Sequence, residues 1–234
     1  MEEITPKEKI KPIDQKGISN ELVSELFNPT FDLSIDYSEI YIDDLIENET
    51  LKEIPIIKSI VGIVRTGIAI NQFWFAKKLL TFISSFNDGS INQKKLERFR
   101  TKVQSDEKFT KRIAEKLMIY IDRNVEIGKT IIISNLFKAY VNEKLTYSQF
   151  IQILTTLDGL NPKAYEGFLD LERFGHEITS NNHTSCGPRN FEYETLIISG
   201  GFATEPGDWF SGFKLTDDGE KLYKYGIKPI KKDI

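Results

Sequence analysis

Cysteine is almost absent from this chain. A single Cys186 in 234 residues excludes an internal disulfide and a cysteine-rich metal framework, and agrees with a reducing compartment. Histidine is nearly as rare, at two residues, and neither sits in an H-E-x-x-H zinc signature. There is no glycine-rich loop of the kind that cradles phosphates, and no Ser-His pairing that chain position supports. Long apolar runs are missing too. In the most hydrophobic segment the longest uncharged stretch, Thr66–Ala76, is 11 residues and contains Asn71 and Gln72, short of the roughly 18 apolar residues a transmembrane helix needs. Met1 to Asn20 mixes charges with Pro and Ile and offers no secretory apolar core, so the expected compartment is the cytoplasm.

What is present suffices for a packed core: 40% hydrophobic and 12% aromatic residues are enough for one large domain or a domain with a small appendage. The formal net charge of −4 conceals a strong asymmetry. Residues 1–53 carry 5 basic and 14 acidic side chains, residues 54–144 carry 17 and 8, and residues 145–234 carry 9 and 13. A basic middle therefore lies between acidic flanks, which calls either for an anionic partner or for neutralisation by the N-terminal region. Fluctuation of charge along ordinary helix surfaces is the plainer reading of the same counts.

Residues 1–17, with two prolines and no periodicity, read as a tail. Ser19 is placed to cap a short helix ending at Phe27, before Asn28-Pro29, and Asp36 to Ile46 suggests a second, acidic helix. From Ile54 to Phe86 there are 33 residues with only four charges, Lys58, Arg65, Lys77 and Lys78, all positive. Gly62, Gly67 and Asn71-Gln72 would break one long helix, so this segment is expected to be a helical hairpin meeting near residues 67–72.

Helical signals then strengthen. Ile91 to Gln104 forms a basic helix, and Ser105-Asp106-Glu107 places a cap and two carboxylates at the positive end of the next one. In that helix Phe109, Ile113, Leu117, Tyr120 and Ile121 share one face. Lys129 to Asn142 repeats the pattern with Ile132, Leu136, Phe137, Tyr140 and Val141. Thr146-Tyr-Ser-Gln149 is a capping box for a helix to Leu157, and Asn161-Pro162 starts another to about Phe174. After the polar loop 175–190 comes a helix from Phe191 to Ser199, stopped by Gly200-Gly201. Two strands follow, around Phe202 and over Phe210 to Leu215, joined by a Glu205-Pro206-Gly207-Asp208 turn, and Thr216 caps a last helix. The expected fold is mainly α: a multi-helix bundle with a small C-terminal winged-helix-like α+β element. Its parts are an acidic region at 1–53, a helical domain at 54–174 and the winged-helix-like element at 190–234.

Three sets of residues qualify for function. In the apolar basic hairpin, Lys58, Arg65, Phe73, Trp74, Phe75, Lys77 and Lys78 would suit an anionic membrane or a protein partner, with cations snorkelling to headgroups, unless the hairpin is simply buried. In the basic helix, Lys94, Lys95, Arg98, Arg100 and Lys102 could meet phosphates, unless they form a solvated face. His176, His183 and Cys186 share one loop, but their spacing matches no standard zinc site, so neither metal nor cofactor is expected. The carboxylate pairs Asp43-Asp44 and Asp217-Asp218 are explained by helix surfaces and caps.

Four stretches, PIIKSIVGIVRTG, FAKKLLTFISSFNDG, ISNLFKAYVNEKLTYSQFIQILTTLDGLNP and SGGF followed by FKLTDDGEKLYKYG, resemble in layout bacterial proteins of the Abi-alpha (abortive infection) family, over about residues 54–225. The resemblance implies a role in defence against phage, through toxicity to the infected cell or as a sensor, and supplies no catalytic residue. The expectation is a non-enzymatic defence or stress-response protein. It would be cytoplasmic or peripheral to the inner face of the membrane, with hairpin 54–86 as effector surface and the acidic N-terminal region as its mask. The alternative is a winged-helix-containing regulator or adaptor that binds nucleic acid or another protein. Oligomeric state is not legible.

Overall fold

The computed structural model describes residues 15–41, 44, 47–61, 70–165, 167–168, 191–204 and 214–230. Its first helix, α1 (Gln15–Phe27), buries Leu22 and Leu26 and ends at Asn28, beyond which Pro29 lacks the amide to continue. The helix is already under way at Ser19, which is buried within it and is not its cap. Glu25 is also buried, because it folds the chain back: its carboxylate accepts Thr30 N at 2.8 Å and Thr30 Oγ1 at 2.8 Å.

Residues 36–41 are turns and irregular chain, so the expected acidic helix does not start at Asp36; Asp44 and Glu47 are helical, and the other positions of its second half lie outside the described residues. Asp32 Oδ1 accepts the amide and hydroxyl of Ser34, and Asp36 Oδ1 those of Ser38, so two Asp-x-Ser pairs satisfy the backbone locally in place of helical bonds. Tyr37 closes this segment, buried edge-on against Phe31 with its hydroxyl on Asp32 O at 2.8 Å. The short α2 (Glu49–Lys52), capped by Asn48, and α3 (Pro55–Val61), opening on a proline whose missing amide costs nothing there, bring Ile54, Ile56, Ile57 and Ile60 into the core. The junction expected near residues 67–72 falls largely outside the described residues. Beyond it α4 (Ile70–Phe86) packs on α3.

Helices α5 (Gln93–Ser105), α6 (Glu107–Arg123), α7 (Ile127–Val141) and α8 (Tyr147–Asp158) follow in the expected order. Asp106 caps α6 through Phe109 N at 2.9 Å, and Thr146 with Gln149 forms both halves of the capping box on α8. The apolar face of α6 is buried from Phe109 to Ile121. At the centre lies α7, covered by α4, α5, α8 and the C-terminal segment. Phe137 on α7 is the hub of an aromatic cluster, with ring centroids 5.3 Å from Phe86, 5.7 Å from Phe99 and 5.7 Å from Phe150.

A helix enclosed on every side is expected to be apolar all round, yet α7 also buries Lys129, Ser134, Asn135 and Lys138. Each of these pins a neighbouring backbone. Lys129 Nζ reaches Asp158 O, Ser134 Oγ reaches Phe82 O, Asn135 Nδ2 reaches Gly226 O, and Lys138 Nζ reaches Ser85 O and Asp88. Hydrogen bonding to a fixed carbonyl offsets the desolvation that burial imposes on such groups.

Near the C-terminus, α9 (Phe191–Ser199) stops at Gly200-Gly201, where Gly201 takes a φ of +80°. Two short strands, β1 (Ala203–Thr204) and β2 (Lys214–Leu215), pair antiparallel with Ala203 opposite Leu215 and Thr204 opposite Lys214. The expected turn at 205–208 and most of the expected second strand lie outside the described residues. Thr216 caps α10 (Asp217–Lys221) through Gly219 N at 3.1 Å, and the chain continues as a π-helical segment, Leu222–Ile227, laid on α7. The fold is a mainly α bundle completed by a helix, a two-stranded sheet and a helix.

Candidate anion-binding groove

The described residues of segment 54–86, 54–61 and 70–86, contribute chiefly to the core. Lys58 is exposed and pairs with Glu53 at 2.9 Å, while Arg65 lies outside the described residues. Phe73 and Phe75 are buried, as is Lys78, whose Nζ donates to Asp122 O at 2.6 Å and Asn124 O at 2.9 Å. These carbonyls lie at the C-terminal end of α6, so Lys78 caps that helix and does not face solvent. Lys77 is also buried, its Nζ 5.2 Å from the Trp74 ring; burial lowers its pKa against the pull of Asp36 and Glu39. The exposed apolar face of α4 therefore comes down to Ile70 and Trp74, at 66% and 41% exposure.

The basic helix α5 divides its five cations among three roles. Buried Phe99 and Val103 fix which side faces inward. Arg100 turns toward the N-terminal region, donating to Asn28 Oδ1 at 2.9 Å beside the Phe27 ring, and so ties α5 to the end of α1. Lys94 is exposed. Lys95, Arg98 and Lys102 line a groove of about 350 Å³ between α5 and the turn from α7 into α8.

The opposite wall holds Lys144, Thr146 and Gln149, and Phe99, Tyr140 and Leu145 also line it. Lys95 Nζ donates to Asn142 O at 2.6 Å, and Asn92 N donates to Asn142 Oδ1 at 3.0 Å, so the two walls are stitched together. Lys102 Nζ stands 4.1 Å from the Phe109 ring centroid. Burial raises the pKa of the Tyr140 hydroxyl, and Tyr147 adds to the shift against the opposing charge of Arg112.

One carboxylate faces these cations. Glu143 lies 3.2 Å from Lys95 Nζ and 3.8 Å from Arg98. Its backbone has a φ of +57°, the only non-glycine residue in the left-handed region among the described residues. Glu143 N donates to Tyr140 O and Lys144 N to Ala139 O, both at 2.9 Å, the two bonds that close a helix C-terminus at a position usually given to glycine. Such a conformation costs roughly 1 kcal/mol or more for a residue with a Cβ.

Sequence reasoning found Lys95, Arg98 and Lys102 but missed Glu143, Lys144, Thr146 and Gln149. No local pattern marks these four as neighbours of α5, because they meet it only through the packing of α7. A second hollow of about 260 Å³ is lined by Asp36, Glu39, Asp88 and Lys138. Burial lowers the pKa of Lys138 although Asp88 pulls the other way. His176, His183 and Cys186 lie outside the described residues, and among the described residues no group of three or more His, Cys, Asp or Glu could hold a metal ion. No described helix is long and apolar enough to cross a membrane. No family model, curated protein or solved structure matches the chain.

Proposed function

We propose that this chain is a binding protein, without chemistry of its own, that engages the phosphates of a nucleic acid through α5 and the groove beside it. The observation that carries this reading is that cations from two distant segments, Lys95, Arg98 and Lys102 on α5 and Lys144 beyond α7, converge on one open cleft. Exposed Lys94 extends the same face. Clustered cations on one surface are the electrostatic footprint of phosphate contact. In the setting the Abi-alpha resemblance implies, such a protein would serve phage defence as a sensor rather than as a membrane toxin, since α4 keeps Phe73 and Phe75 inside.

Fluorescence anisotropy with a labelled oligonucleotide, titrated at several salt concentrations, tests the proposal. Four phosphate contacts to a duplex predict a log–log salt slope of about −3.6. The combined variant K94A/K95A/R98A/K102A should lose binding while keeping its helical circular dichroism, and loss of phage protection in the same variant would tie binding to defence. No binding at low salt would overturn the nucleic-acid reading. Binding to anionic vesicles alone would return the function to a membrane surface, with Ile70 and Trp74 as its exposed apolar residues.

A further inference from the structure

The groove holds more charge than a passing phosphodiester needs. Lys95, Arg98, Lys102 and Lys144 place four positive charges around about 350 Å³, opposed by the single carboxylate of Glu143. A phosphodiester brings one negative charge, whereas a phosphate monoester brings nearly two and three acceptor oxygens. The Thr146 hydroxyl and Gln149 Oε1 on the same wall are engaged in the capping box of α8, which leaves the Gln149 amide nitrogen as the donor of the kind that orients an oxyanion. Glu143 stands at the residue that closes α7, and its carboxylate lies 3.2 Å from Lys95 Nζ and 3.8 Å from Arg98. With its carboxylate against two of the cations, Glu143 occupies the place of an anion.

Resting on the binding function proposed above, we propose that this groove is a phosphate-monoester site, for the 5′-phosphate of a nucleic-acid end or a free nucleotide, in which the Glu143 carboxylate is the resident competitor. Lys95 and Arg98 exchange the carboxylate for the phosphate when ligand enters, and Lys102 and Lys144 supply the remaining charge. Glu143 thereby sets a threshold: internal strands, with one charge per phosphate, displace it less readily than ends.

The test compares single strands of identical sequence bearing a 5′-phosphate or a 5′-hydroxyl, with adenosine 5′-monophosphate and adenosine as competitors, on the full chain. The phosphorylated strand should bind about tenfold more tightly, and the monophosphate but not the nucleoside should displace it. E143Q, which removes the competing charge and keeps the side chain's shape, should bind the phosphorylated strand about three- to tenfold more tightly than the parent protein, and the hydroxyl-ended strand should gain at least as much, so that the preference for the 5′-phosphate narrows. K95A/R98A should abolish the preference. Displacement by the monophosphate together with equal binding of both strands would assign the site to the free nucleotide. Equal binding of both strands without displacement, or an E143Q variant with unchanged affinity for the phosphorylated strand, would overturn the proposal while leaving general nucleic-acid binding intact. Absence of binding by either strand would instead sink the broader reading on which it rests.

Discussion

Lys78→Met separates a structural lysine from a surface one. The Lys78 ammonium is buried and donates to two carbonyls at the end of α6, Asp122 O and Asn124 O. Hydrogen bonds from a charged donor contribute roughly 1.5–3 kcal/mol each, so removing two leaves a gross loss of about 3–6 kcal/mol. Against this, methionine fills nearly the same volume and needs no desolvation, and burial already lowers the lysine's pKa against the attraction of Asp122. The net expectation is a destabilisation of about 2–3 kcal/mol. For a chain of this size that corresponds to roughly 5–10 °C in Tm.

Urea and thermal unfolding followed by circular dichroism read the effect, with Lys77→Met as the neighbouring control. Lys77 is buried too, but its ammonium faces the Trp74 ring and the charges of Asp36 and Glu39, and the ring contact is worth about 0.5–2 kcal/mol. A Lys78→Met variant as stable as Lys77→Met would refute the capping role and make Lys78 a cation that finds solvent. The same pair tests linkage. A lysine whose folded pKa lies below 10.5 binds fewer protons folded than unfolded, so its contribution to stability rises as pH climbs from that folded value toward 10.5. Lys78→Met should flatten that rise.

Gly219→Ala should cost about 2–3 kcal/mol in urea unfolding, because an added Cβ would run into the Phe202 backbone carbonyl beneath the Thr216 cap; Gly128→Ala, where a Cβ meets nothing within 4 Å, should be neutral or stabilising by up to about 1 kcal/mol. At alkaline pH the Tyr37 phenol, pushed up to about 12 by burial and by the charge of Asp32, stays protonated in the fold while the unfolded phenol ionises near 10.0. Its stabilisation is complete below pH 10.0 and lost as pH rises through about 12, so Tyr37→Phe should show a shallower alkaline loss, with Tyr140 and Tyr165 retaining part of the slope.

Much of the fold was legible because the signals are local. The shared face of α6, the capping box at Thr146 and Gln149, the stop at Gly200-Gly201 and the Thr216 cap each depend on residues within a few positions, and all are present. The acidic helix expected over residues 36–46 does not begin at Asp36, for a local reason as well; within that span, among the described residues, helical backbone is first reached at Asp44. Apolar spacing there suggested a helix, but Asp32 and Asp36 each capture the serine two residues on, and those bonds are incompatible with a helical amide ladder. Ser19 misled because a good capping residue can also sit inside a helix whose start is set upstream.

The candidate site shows the opposite case. The sequence by itself determined that the middle of the chain is basic and that α5 carries charge on one side and Phe99 and Val103 on the other. Which of those charges act together was decided only by tertiary structure. Periodicity reports the face a side chain leaves from, but a lysine has a long flexible stem, and its partner is whichever carbonyl or carboxylate the packing of other helices brings within reach. Lys78 finds the end of α6, Lys138 finds Asp88 across the bundle, Arg100 finds Asn28, and Lys95 with Arg98 finds Glu143 some 45–48 positions further along the chain. The groove exists because α7 holds its closing turn against α5, and that contact is written in no single stretch of sequence.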